Sequence, residues 1–97
     1  MEVKALQQML TQFRQMQEDL QKRVEAVHVE ASAGGGMVTV TMGGNREVFS
    51  VRIDPAVLEA KDAEMLEDLV RAAVNEANRK VEAALSERMS GLRVPGF

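Results

Sequence analysis

His28-Val29-Glu30-Ala31-Ser32-Ala33-Gly34-Gly35-Gly36-Met37-Val38-Thr39-Val40-Thr41-Met42-Gly43-Gly44-Asn45 decides the fold. Val29, Ala31 and Ala33 alternate with Glu30 and Ser32, and Val38, Val40 and Met42 alternate with Thr39 and Thr41. A period of two is that of a strand with one covered face. The runs Gly34-Gly35-Gly36 and Gly43-Gly44-Asn45 supply the positive-φ positions that tight hairpins need. A third alternating run has Glu47, Phe49, Val51 and Ile53 on one side and Arg46, Val48, Ser50 and Arg52 on the other. It completes an antiparallel meander over about 28–54. The meander stops at Asp54-Pro55, because proline lacks the ladder N–H and holds its neighbour out of helical space.

On both sides of the meander the period lengthens. Val3, Leu6, Leu10, Phe13, Leu20, Val24 and Val27 recur in alternating steps of three and four, a heptad broken only by Gln17 and widened by Met9 and Met16. With no Gly or Pro before Gly34, this predicts one helix over about 1–27. After a short turn at Pro55 to Ala60, Asp62 is placed to cap a second long helix over about 63–90. Glu64, Glu67 and Asp68 sit where the positive end of its dipole favours acids. Its candidate buried stripe is Leu66, Val70, Ala73, Ala77, Val81 and Ala84, and Gly91 ends it. A tail follows over 91–97. The expectation is a single α+β domain over 1–97, ordered α-β-β-β-α.

Composition narrows the function. Zero Cys among 97 residues removes disulfides, thiol nucleophiles and cysteine-held metals. No window approaches the roughly 18 consecutive apolar residues of a spanning helix, and the start MEVKALQQMLTQF lacks the pattern of an export signal. No membrane association is expected. His28, the one histidine, stands at the junction of helix and strand with no nucleophile near it in sequence, so a solvated or capping role is favoured. The acids at 62–68 match a helix start better than a metal or acid/base site. Gly34-Gly35-Gly36 lacks the Lys-Ser/Thr and helix start of a phosphate loop. The seven methionines are expected to serve packing. No catalytic residue, metal ligand, cofactor or small-molecule substrate is expected.

Charge is uneven. The net charge is −3, yet residues 1–53 balance at 0, residues 54–69 carry −5 and residues 70–97 carry +2. Lys22, Arg23, Arg71, Arg79, Lys80, Arg88 and Arg93 therefore lie apart from the acidic block and are candidates for a basic surface. Two helices of some 27 residues outreach so small a domain, and their stripes ask for another long helix, which points to self-association. Gln17 at a heptad position either fixes register by pairing or marks a seam open to water.

The segments Ser32-Ala33-Gly34-Gly35-Gly36-Met37-Val38-Thr39-Val40-Thr41, Val51-Arg52-Ile53-Asp54-Pro55, Glu64-Met65-Leu66-Glu67-Asp68-Leu69-Val70 and Ala72-Ala73-Val74-Asn75-Glu76-Ala77 resemble the bacterial YbaB/EbfC nucleoid-associated family. So do the Gln/Met-rich first helix and the closing Pro-Gly-Phe. The chain departs from the family at Thr39, often a basic residue there, and at Gly43-Gly44, often Asn-Gly. The resemblance implies a homodimer joined through its sheets, with long helices projecting like tweezers. It also implies binding to double-stranded DNA with little sequence preference, in the cytoplasm on the nucleoid.

The leading expectation is thus a dimeric DNA-binding protein that is not an enzyme. It would touch phosphates through Lys22, Arg23, Arg79, Lys80, Arg88 and Arg93 and pair through Leu10, Phe13, Gln17, Leu20, Val38 and Val40. An acidic chain can do this, because affinity for a duplex follows local cations and two subunits double a weak set. The alternative is a dimeric adaptor that binds another protein through its acidic helix start and Met-containing grooves.

Overall fold

A computed structural model describes residues 3–89. Its elements are α1 (Val3–Glu25), β1 (His28–Ala33), β2 (Val38–Gly43), β3 (Val48–Ile53), a one-turn α2 (Pro55–Glu59) and α3 (Ala63–Met89). The α-β-β-β-α order holds, with α2 occupying the short turn expected after Pro55. The strands form one antiparallel sheet in the order β1-β2-β3.

Each boundary has a local cause. Asp54 caps α2, its Oδ1 accepting the Ala56 N–H at 2.9 Å, and Asp62 caps α3 by accepting the Met65 N–H at 3.0 Å. The first hairpin turns on Gly34, Gly35 and Gly36, with φ of 65°, 68° and 98°. The second does not turn on its glycines. The left-handed residue there is Arg46, with φ 66°. Gly43 and Gly44 are needed for room instead: a Cβ on Gly43 would meet the Phe49 ring, and one on Gly44 would strike the carbonyl oxygen of Val24.

α3 lies across β1 and β2 and makes the core with them. Val27, Ala31, Val38, Val40, Met42, Ala73, Ala77 and Val81 are buried together. The stripe expected on the second helix is the one used: Ala73, Ala77 and Val81 are fully covered, and Leu66, Val70 and Ala84 pack around them. Alanines at the centre let the helix approach the sheet closely.

Three features differ from the sequence reading. α1 ends at Glu25, and Val27, the last residue of the expected heptad, is buried in the core just past the helix end. Phe49 does not share a face with Val51 and Ile53. A bulge makes Val48, not Phe49, the partner of Met42, and the Phe49 ring passes over Gly43 to stack on His28 on the sheet's other face, centroids 5.1 Å apart. Finally, α1 has no buried residue. It meets α3 only near its own last turns and projects from the body, giving overall extents of 73 × 24 × 16 Å.

Candidate nucleic-acid interface

The expected cations fall into three groups. Lys22 and Arg23 occupy the last turn of α1 and Arg88 the last turn of α3. The two helix ends meet where an Nη1 of Arg23 donates to the Arg88 carbonyl oxygen at 3.1 Å. Each cation stands where the negative end of a helix dipole welcomes positive charge. Part of their role is therefore to finish the helices. Glu25 and Glu87 share these turns, which moderates the local field, and Glu25 accepts a bond from Gln21 at 3.1 Å.

Arg79 forms a second group. At 100° per residue it lies about 180° around α3 from Arg88, and its guanidinium holds Glu76 through Nε at 3.0 Å and Nη2 at 2.7 Å. The pair is solvent-exposed, so its worth to stability is small and it opens easily. Lys80 forms the third, reaching the backbone of β1, where its Nζ donates to the Glu30 carbonyl oxygen at 2.8 Å. Arg93 lies outside the described residues.

One cation escaped the sequence reading. Arg46, at the β2–β3 turn, donates through Nη1 to the Asn78 carbonyl oxygen at 2.8 Å and to its Oδ1 at 3.2 Å, fastening the hairpin to α3. No local signal marks it, because the bond depends on where α3 crosses the sheet. Arg52 and Arg71 are held by Glu30 and Asp68 in exposed ion pairs.

The residues expected at a subunit seam also divide. Val38 and Val40 are completely buried under α3. They belong to the chain's own core, covered by a helix of the same chain. Leu10 and Phe13 are 51% and 58% exposed, Gln17 is exposed and Leu20 is half-buried. Met9 and Met16 likewise stand in solvent, while Met42 lies in the core.

Among the described residues no group of three or more His, Asp and Glu is placed to hold a metal, and no helix is long and apolar enough to cross a membrane. The hollows are shallow grooves. One is lined wholly by α1 through Lys4, Gln7, Gln8, Thr11 and Gln12, and another lies along the start of α3 between Asp62 and Leu69.

The model of the YbaB/EbfC DNA-binding family matches residues 1–96. A nucleoid-associated protein of Koribacter versatilis is 47% identical over 96 residues, covering 95% of each chain. One of Acidobacterium capsulatum is 48% identical over 92 residues, covering 90% of this chain and 85% of that one. In structure, an uncharacterized protein of Helicobacter pylori superposes with a TM-score of 0.73 at 24% identity, covering 95% of this chain and 97% of its own, which shows a shared fold.

Proposed function

The chain belongs to the YbaB/EbfC DNA-binding family, and from that premise we propose that it is a nucleoid-associated protein that binds duplex DNA as a homodimer, mainly through phosphates and with little sequence preference. It has no catalytic role in this reading, and its place is the nucleoid, in keeping with the names of its relatives. The observation that carries the proposal is that the cation-bearing last turns of the two long helices meet, with Arg23 bonded to the Arg88 carbonyl oxygen. Cations gathered at helix ends suit an anionic backbone. Arg79 and Lys80 add charge on other sides of α3, and Arg93 extends the set along the chain.

Homodimerisation is supported by the two sheet edges being treated differently. Lys80 places a charge on the backbone of β1, whereas β3 presents Val48, Phe49 and Val51 at 42%, 50% and 45% exposure. An apolar edge strand left open is a template for pairing, and a second copy would cover it. Leu10, Phe13, Gln17 and Leu20 on α1 offer a further surface.

Fluorescence anisotropy with a labelled duplex at low salt tests the DNA reading. Wild-type protein binds, and the double variant Lys22→Glu/Arg23→Glu weakens binding at least about tenfold, by removing and reversing local charge. Arg79→Glu has a smaller effect, because that side chain already faces Glu76. Absence of binding at tens of micromolar, binding insensitive to salt, or equal affinity of the double variant overturns it.

A further inference from the structure

Where α2 gives way to α3 the surface is hollowed. The chain turns there through Lys61, whose φ of 53° is left-handed, and beside the turn lies a hollow of about 260 Å³ lined by Val57, Leu58, Lys61, Asp62, Ala63 and Leu66. Val57 is buried, Leu66 is half-buried and Leu58 is 58% exposed. We propose that this hollow docks a basic segment of another protein, which brings one aliphatic side chain into it and lysine or arginine against the acids around it.

Size and lining argue for a side chain. A small-molecule site usually offers about 300–1,000 Å³ and several convergent polar groups. This hollow is smaller, open and walled mainly by aliphatic groups, which suits a single apolar anchor of the kind that dominates protein–protein contacts.

Charge selects the rest of the partner. Residues 54–69 carry −5. Asp54 and Asp62 are engaged as helix caps and Asp68 holds Arg71 at 2.7 Å. Glu59, Glu64 and Glu67 have no cation among the described residues. The helix dipole accounts for one of these three, because Glu64 alone lies in the first turn of α3. Glu59 directly follows Leu58, and Glu67 stands one turn along from Ala63. Glu64 also faces Glu67 and Asp68 at spacings of three and four, where like charges repel. A cationic partner relieves that repulsion and is steered to the hollow by it.

Position keeps this surface apart from the proposed DNA contacts. Ala63 and Arg88 are separated by about 37 Å along α3, and the acids repel phosphate. The docking surface therefore goes beyond the DNA reading and does not depend on it.

Two fluorescein-labelled fourteen-residue peptides test the proposal by anisotropy at low salt, one made of leucine and lysine and the other of lysine alone. The leucine–lysine peptide binds the wild-type protein at tens of micromolar or tighter, at least about tenfold more tightly than polylysine. Leu58→Glu weakens it about tenfold. That variant adds an acid, so its loss reports the apolar contact and not the charge. Glu59→Lys/Glu67→Lys weakens it to a similar degree by removing the cationic contacts, while Phe13→Glu on α1 leaves it unchanged. Circular dichroism verifies the fold of each variant. Leu58→Glu keeps the wild-type affinity for a labelled duplex and the wild-type mass in light scattering. No binding, equal binding of the two peptides, unchanged affinity in Leu58→Glu, or equal weakening by Phe13→Glu overturns the proposal. So does a lower mass of Leu58→Glu, which would give the hollow to a second copy, or a loss of its duplex affinity, which would give it to DNA. Failure of the DNA reading shows instead with wild-type protein and duplex, without any peptide.

Discussion

Gly43 and Gly44 illustrate how one residue type answers two different demands. At the first hairpin glycine supplies a left-handed backbone, while at the second it supplies absence of a side chain. Substitutions separate the two. Gly35→Ala meets nothing within 4 Å and costs only the strain of its φ of 68°, about 1 kcal/mol. Gly44→Ala drives a methyl into the Val24 carbonyl, and the Gly44 N–H bond to the Val27 carbonyl at 3.0 Å leaves no room to retreat. We expect a loss of about 2 kcal/mol or more, read as a lower midpoint in urea. If Gly44→Ala is as mild as Gly35→Ala, the helix end does not seat on the turn. Val81, fully buried at the centre of α3, is the matching test of the core. Val81→Ala removes two methyl-sized groups and leaves a cavity, for a loss of about 2 kcal/mol in the same assay.

The strands and α3 were plain in the sequence because their signals are local. Alternation of period two, an Asp at each cap and an alanine-lined stripe are each readable within a dozen residues. What the sequence could not convey depends on elements meeting. The extra residue at the bulge sends Phe49 to the far face, although strict alternation from Ile53 back to Glu47 puts it with Val51. The heptad shows that α1 needs a partner but not whether its own chain supplies one. Among the cations, the opposition of Arg79 and Arg88 follows from their spacing of nine residues and was legible. The meeting of Arg23 with Arg88 was not, because it needs the crossing of α1 and α3. For β3 the consequence can be tested directly. Val51→Lys puts a charge on the open edge and should shift the mass in light scattering toward the 10.7 kDa of a single chain. An unchanged mass removes β3 from the seam.

A folded chain of this length, if compact, has a radius of gyration of about 12–13 Å, yet this one has 20.1 Å. The excess is the projecting helix. It separates the molecule into a small packed body and an arm, with the cation cluster where the two join. In a dimer Lys22, Arg23 and Arg88 each occur twice. If all contact phosphate, the logarithm of the binding constant falls against the logarithm of salt with a slope of about −5. Replacing Arg88 by Gln should then lessen the slope by about 2, since one contact is lost in each subunit. A titration series from low to moderate salt measures both, and a slope unmoved by Arg88→Gln removes that residue from the interface.

The seat of α1 on Gly44 has a mechanical meaning. The described part of the arm is about 34 Å long and is anchored at one end only, through Leu20, Arg23 and Val24. A rotation of about 10° about that pivot sweeps the free tip through about 6 Å. Lys22 and Arg23, next to the pivot, hardly move in the same swing. The protein thus joins a charged base, near the pivot, to a long lever.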